Sequence, residues 1–356
     1  MYRPRPKCVA YGKCTPERPT LSVMARSHLT LAALATSAVE GLEVAAAAPF
    51  GTGNGNDFDS ALITDRAGKH WIIRVPRNAA AENVQSADLV ALRALSAGVR
   101  TRLPFAVTSY AGQVAVGQTR GIVYEFVYGN KVPMRSYTTG PNSLAASIGT
   151  AIAAIHALPT SFVADAGLPV QTAGEALRSC ISIIDRAAAT KLVPAALLAR
   201  WREATEDSKL WQFQPTVVNG SLVSDSFLSA DNAVTGVLGW QDIKVGDPAT
   251  DLQWLLGPRN DAIIDTAFGA YADARGAGDR QLKQRATFYA ELSVAKWLLH
   301  GTEVRSTEIV DDAGEMLTTL LDDIRDDVMN PISANTMPTM AVDEVEAMLR
   351  KDNRAV

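Results

Sequence analysis

Residues 219–252 read NGSLVSDSFLSADNAVTGVLGWQDIKVGDPATDL, and the two halves of this stretch differ in chemistry. The second half carries acids (Asp242, Asp247, Asp251) around a helix start. Asp247 is a natural N-cap, Pro248 suits the first helical position, and Gly257-Pro258 stops the run. The first half places Asn219, Ser221, Ser226 and Gly239 on loop and strand ends. The short apolar runs TVV (216–218), FLS (227–229) and AVTGVLGW (233–240), with the turn ADNA between the last two, predict strand, loop 219–226, strand, tight turn, strand.

On the N-terminal side, residues 1–23 are rich in Pro, Arg and Lys without apolar periodicity and are expected to be a disordered extension. MARSHLTLAALATSAVEGLEV (24–44) has the look of a secretory leader. Its apolar pattern continues past any cleavage point, however, and a first amphipathic helix is the better reading. GTGNGND (51–57) is a turn cluster, and SALITDRAGKHWIIRVPR (60–77) predicts two strands joined by DRAGK. Val84, Leu89, Leu92 and Leu95 recur at helical spacing, and VAVGQTRGIVYEFVYGN (114–130) returns to strand composition. A small lobe with a mainly antiparallel sheet is therefore expected over 24–128.

From 141 onward the chain reads as mostly helical. Leu144, Ile148, Ile152 and Ile155 form one stripe that ends at Pro159, with His156 beside it as a packing or capping residue. Further helices are expected over 171–207 and 280–300. A last one has Leu317, Leu320, Leu321, Ile324 and Val328 opposite acidic pairs, which read as a solvated face. A larger helical lobe over 129–334, carrying the hairpin 216–240, and a tail over 335–356 complete the expected organisation.

The chain has 356 residues, 47% hydrophobic and 20% charged, with mean hydropathy +0.03, enough for two lobes around a sizeable core. A net charge of −4 and a pI near 5.7 give no support to non-specific nucleic-acid binding. No apolar run reaches the roughly 18–20 residues of a membrane helix. Three cysteines (Cys8, Cys14, Cys180) fit a reducing cytoplasm better than a disulfide framework. The four histidines (His28, His70, His156, His300) are too scattered to make a metal site.

A small sheet lobe followed by a helical lobe with this hairpin resembles kinase-like phosphotransferases, and the motifs narrow the resemblance. The aminoglycoside phosphotransferase family carries H-G-D-x-x-x-x-N on the loop, a strand ending in I-D-W or I-D-F, and G-D-P-x-x-D-L after it. NGSLVSDS, VTGVLGW and VGDPATDL occur here in that order with nearly that spacing, and AIAAIHALP (151–159) resembles the family's L-A-x-L-H-x-L-P helix. WIIRVPR (71–77) is similar to the nucleotide-lobe strand W-x-L-R-x-P-R of the macrolide branch. The resemblance covers about residues 28–330. It implies an α+β, two-lobed protein-kinase-like fold in the cytoplasm. It also implies ATP or GTP with Mg²⁺ as cofactors if the chain is active, and a macrolide- or aminoglycoside-like small molecule as partner.

The same alignment exposes departures. In this chemistry a loop Asp accepts or orients the proton of the attacking hydroxyl, and an Asn five residues later and an Asp at the next strand end hold Mg²⁺. Here the catalytic Asp position is Ser221, the loop His position is Asn219, and the metal positions are Ser226 and Gly239. Serine is neutral near pH 7, and losing a general base typically costs ~10²–10⁴ in rate. Asp225 and Asp242 lie one and three residues from the vacated positions and are candidate substitutes. In the nucleotide lobe Arg74 stands where a phosphate-contacting cation belongs, and Asp88 or Glu82 where its acidic partner would be. Asp247 and Asp251 match positions that cap and anchor. Three readings follow: an impaired pseudokinase that still binds nucleotide or a small molecule, an active small-molecule kinase with relocated acids, and a ligand-sequestering or partner-binding module without nucleotide.

Overall fold

The computed structural model of the chain describes residues 26–51, 57–257, 260–276, 278–326 and 332. The expected extension 1–23, most of the 51–57 turn cluster, Pro258 and the 335–356 tail lie outside the described residues.

Ser27 caps α1 (His28–Ala38) by accepting the Thr30 N–H, and Leu31, Ala32 and Ala35 face inward. The chain then runs through β1 (Val44–Pro49), β2 (Phe58–Asp65), β3 (His70–Pro76), α2 (Ala79–Ala94), α3 (Ala97–Arg100), β4 (Ala106–Val107), β5 (Tyr110–Val116) and β6 (Thr119–Glu125). Five of these strands form one antiparallel sheet in the order β1-β2-β3-β6-β5. The period-2 alternation splits its faces: Ile63, Ile73 and Val123 pack under α1, while Ile122 and Tyr124 pack with Leu89 and Leu92 of α2. The Arg100 guanidinium ties this lobe together by donating to the carbonyls of Leu92, Leu95, Val107 and Thr108 at 2.6–3.0 Å.

The second lobe contains α4 (Leu144–His156), α5 (Ser161–Asp165), α6 (Ala173–Ala189), α7 (Ala195–Glu206), β7 (Thr216–Val218), β8 (Phe227–Ala230), β9 (Ala233–Val237), β10 (Lys244–Gly246), α8 (Asp261–Arg275), α9 (Leu282–Val304) and α10 (Thr307–Asp326). The Ile148, Ile152, Ile155 stripe of α4 is fully buried. Gly149 lets α4 and α8 close together, since a Cβ there would sit 2.1 Å from the Ala267 carbonyl oxygen. The lobes are joined by parallel pairing of β4 with β9, and backbone hydrogen bonds between Asn130 and Ser229 tie the start of the second lobe to β8. This is a kinase-like fold.

Two local expectations are corrected. The segment after Asp247 is two 3₁₀ turns, Pro248–Asp251 and Gln253–Leu256, rather than one helix, although Asp247 does cap it by accepting the Ala249 N–H at 2.9 Å. The N–H groups of Thr250, Leu252 and Leu255 bond three residues back, and the Trp254 indole N–H also donates to the Asp251 carbonyl at 2.9 Å. The strand expected to reach Trp240 ends at Val237: Leu238 still donates its N–H to the Ser226 carbonyl across from β8, but Gly239 enters the left-handed region. The sequence reading also missed β10, which pairs with β7, and α8, which is capped by Asn260.

Candidate functional site

The loop that follows β7 is held from behind by one carboxylate. Asp251 has no exposed surface and accepts the Asn219 N–H on Oδ2 and the Gly220 N–H on Oδ1, each at 2.7 Å. His156 of α4, also buried, places Nε2 3.2 Å from Asp251 Oδ2 and Nδ1 2.8 Å from the Tyr271 hydroxyl. Asn219 extends the lattice forward: Nδ2 donates to the Gly239 carbonyl at 2.7 Å and Oδ1 accepts the Ser221 N–H at 3.2 Å. The loop passes so close to the next segment that a Cβ on Gly220 (φ +88°) would lie 2.5 Å from the Asp242 carbonyl oxygen. Positions 219, 239 and 251 are thus fixed relative to one another by hydrogen bonds that need no carboxylate at 221, 226 or 239.

In front of this lattice the side chains make a different arrangement. Gln241 Nε2 donates to Ser221 Oγ at 3.1 Å and to Asp242 Oδ2 at 3.2 Å. A Cβ built on Gly239 (φ +74°) would find Gln241 Oε1 3.4 Å away. The amide of Gln241 therefore lies between the two positions where the loop Asp and the metal Asp of the resemblance would stand. Ser226 is buried, with Oγ accepting the Val223 N–H at 3.2 Å inside its own loop. Of the two candidate substitutes, Asp242 is brought to the loop, one bridging amide from Ser221. The Asp225 side chain is 71% exposed and pairs with Lys131 at 3.4 Å instead.

Mg²⁺ requires hard oxygen ligands, normally including one or two carboxylates. Position 239 has no side chain and the hydroxyl at 226 is engaged within its loop. Among the described residues no group of three or more His, Cys, Asp or Glu is placed to hold a metal ion. The residues present do not fit the ion that the resemblance implied.

The side that the resemblance assigns to a nucleotide is built from β3, α2 and Trp240. The Arg74 guanidinium lies 3.9 Å over the Phe58 ring in a cation–π contact, close enough to Asp88 and Tyr124 for its charge to act on both. Asp88, not Glu82, reaches across the lobes, accepting the Trp240 N–H on Oδ1 at 2.9 Å. The Tyr124 hydroxyl is buried near Arg74, Asp88 and Gln85, and Gln85 donates to the Arg74 carbonyl at 3.2 Å. Burial pushes the Asp88 carboxyl above its usual range, opposed by the Trp240 N–H and by the charge of Arg74.

That shift has a sign. A carboxyl whose pKa is higher in the folded state contributes stability that is complete below its unfolded pKa and is lost as pH rises through the folded value. Asp88→Asn keeps an acceptor for the Trp240 N–H and removes the buried charge. Its melting temperature is expected to exceed wild type at about pH 8, with the difference shrinking toward zero as pH falls to about 4, in a series of thermal melts. A difference that widens on acidification would overturn this assignment of the charge.

A match to the phosphotransferase enzyme family spans residues 49–289, from the end of β1 to the middle of α9. The chain belongs to the phosphotransferase enzyme family. Among solved structures, this family member is similar to the apoenzyme of macrolide 2'-phosphotransferase MphH from Brachybacterium faecium. The TM-score is 0.67 at 22% identity, covering 82% of this chain and 98% of that one. It is also similar to the GDP complex of wild-type aminoglycoside 2'-phosphotransferase-IIIa, with a TM-score of 0.66 at 16% identity, covering 83% and 98%. At these identities the likeness bears on the fold. A curated relative, the uncharacterized protein YcbJ of Bacillus subtilis (strain 168), is 23% identical over 230 residues, which is 62% of this chain and 71% of that protein.

For this phosphotransferase-family chain, sequence reading singled out most of the residues the fold gathers around the loop. It missed Gln241, which stands between Trp240 and Asp242, both of which were named. The available signal was its position two residues after Gly239, within reach of any side chain the loop presents.

Proposed function

We propose that this family member is catalytically impaired and binds a nucleotide in the cleft between its lobes, together with a macrolide- or aminoglycoside-like small molecule, in the cytoplasm. The lobes proposed to form the cleft are residues 24–128 and 129–334. One observation carries the reading. The lattice of Asp251, Asn219 and Gly239 that sets the loop is complete, while the positions that would supply a base and metal ligands hold Ser221, Ser226 and Gly239. In this arrangement Ser221 can orient a hydroxyl through hydrogen bonds but cannot take up its proton, since a serine hydroxyl stays protonated near neutrality. Arg74 can hold phosphate oxygens. The GDP bound by the aminoglycoside 2'-phosphotransferase-IIIa relative supports a nucleotide as the ligand class.

The test is thermal melting with ADP, ATP, GDP and GTP and with macrolide and aminoglycoside panels, since a ligand of the native state raises the midpoint. A rise with at least one nucleotide, and no phosphorylated antibiotic product, is the expected result. Phosphorylation of a macrolide or aminoglycoside at on the order of 1 s⁻¹ would sink the reading.

A second reading has an observation of its own: Asp242 sits one amide from Ser221. An active kinase using Asp242 in place of the lost acids predicts that Asp242→Ala abolishes a turnover that wild type possesses. If wild type has turnover and the variant keeps it, that reading is removed.

A further inference from the structure

After β9, three consecutive residues turn their backbone groups to different partners. The Leu238 N–H goes to the Ser226 carbonyl, and the Gly239 carbonyl accepts from Asn219 Nδ2, both inside the second lobe. Gly239 turns through the left-handed region (φ +74°), and the next N–H, that of Trp240, leaves its lobe and meets Asp88 Oδ1 of α2 at 2.9 Å. Trp240 is bound to the second lobe: it has no exposed surface, and its indole N–H is fixed on the Val237 carbonyl at 3.0 Å. Asp88 is only partly buried, so it stands at the boundary of the lobes where protons reach it.

We propose that Asp88 is a clasp that closes α2 onto segment 240–242, held with its carboxyl protonated and loosened as pH rises. This goes beyond the nucleotide reading and does not depend on it.

The geometry separates this link from the other junction. The pairing of β4 with β9 is a backbone ladder without a titratable group, whereas the link at Trp240 hangs on one carboxyl. The clasped segment also carries the Gln241 amide that joins Ser221 to Asp242, so a carboxyl of the first lobe reaches the site loop.

The sign comes from the surroundings of that carboxyl. Among the described residues, Arg74 of β3 and the Trp240 N–H favour its charged form, and the Tyr124 phenol of β6, pushed up by burial, stays neutral beside it. Loss of water outweighs the two favourable contacts and leaves the carboxyl above its usual range. When α2 lifts from Trp240, water returns and the group regains an ordinary aspartate value of about 3.9. Closure is therefore favoured most below that value, and the advantage is lost as pH rises through the closed-form value. Protonated Asp88 carries its proton on Oδ2 and still accepts the Trp240 N–H on Oδ1. Ionised Asp88 makes the same bond only with a charge drawn out of water.

Amide hydrogen exchange of the full chain without ligand, read residue by residue from about pH 5 to about pH 8, follows the clasp at its own donor. Each rate is divided by that of an unstructured amide at the same pH, and the Leu238 N–H, bonded within the second lobe, is the reference. Protection of the wild-type Trp240 N–H is expected to fall by at least about threefold across this range relative to Leu238. Asp88→Asn keeps an acceptor that does not titrate and is expected to hold the protection constant. Asp88→Ala removes the acceptor and is expected to give low protection at every pH.

A wild-type Trp240 profile that runs parallel to Leu238, or a slope that Asp88→Asn leaves in place, overturns the proposal. Equal protection in wild type and Asp88→Ala at the acid end overturns it as well. The wild-type profile against Leu238 decides the matter even where a variant fails to fold. No nucleotide is present in any arm, so the outcome leaves the nucleotide reading to its own test.

Discussion

Asp251→Ala is expected to destabilise the protein by roughly 3–5 kcal/mol, enough to remove much of the usual margin of a folded domain. The carboxylate is completely buried and receives the N–H groups of Asn219 and Gly220, with His156 Nε2 3.2 Å away. Alanine leaves those two backbone donors and an imidazole in an apolar interior where water cannot replace the lost acceptor. Urea denaturation of wild type, Asp251→Ala and Asp251→Asn measures it. Asparagine should fall between the other two, because its oxygen can accept one N–H while its amide nitrogen opposes the other. A loss below about 1 kcal/mol for alanine would mean that the loop is anchored by something other than this carboxylate. The consequence reaches the site, since the same two N–H groups fix the start of the loop that carries Ser221.

Arg285→Met is the second large effect, expected to cost about 3–5 kcal/mol. Arg285 has no exposed surface, yet it pairs with Asp247 at 2.8 and 3.1 Å and with Asp279 at 2.5 and 3.1 Å, and donates to the Leu210 carbonyl at 3.2 Å. Its guanidinium also lies 4.4 Å from the Phe213 ring centroid. Desolvation alone would lower the Arg285 pKa, but hydrogen bonding to Asp279 and the charge of Asp247 outweigh it and hold the group firmly protonated. Methionine fills a similar volume but abandons a buried Asp247, whose remaining acceptor contacts are the Tyr289 hydroxyl and the Ala249 N–H. Adding Asp247→Asn to Arg285→Met should cost less than the sum of the two single changes, because the second removes the charge the first leaves unpaired. Strict additivity in denaturant unfolding would show that the pair does not act as a unit. Arg285→Lys should also be costly, since an ammonium cannot serve two carboxylates in a bidentate fork.

Much of the architecture was legible because the signals are local. Asp247-Pro248 reads as a cap followed by a fixed φ at the first helical position, the α4 stripe reads from its spacing, and the alternation in 60–77 reads as two strands. Other features depend on partners far away in sequence. The acceptor for the Asn219 N–H comes from position 251 and that for the Trp240 N–H from position 88, pairings that no short window contains. The 3₁₀ turns after Asp247 were misread as one helix because a cap followed by proline signals a helical start but not whether the next N–H groups bond three or four residues back, and here Thr250, Leu252 and Leu255 bond three back. Asp225 and Asp242 were equal candidates on paper, since both sit a few residues from a vacated position. Only the path of the backbone turns one toward Lys131 and the other toward Ser221 through Gln241.

By itself the sequence pointed to a kinase-like phosphotransferase framework, and the resemblance placed Ser221, Ser226 and Gly239 where carboxylate and amide ligands are expected. Residue identity alone settles which groups can carry charge or bind a hard cation. Only the tertiary structure decided what occupies the vacated space, because that depends on side-chain reach and direction. The positive φ of Gly239 and the close pass of Gly220 against Asp242 accompany a Gln241 amide that lies between Ser221 and position 239, where the resemblance would place charged ligands.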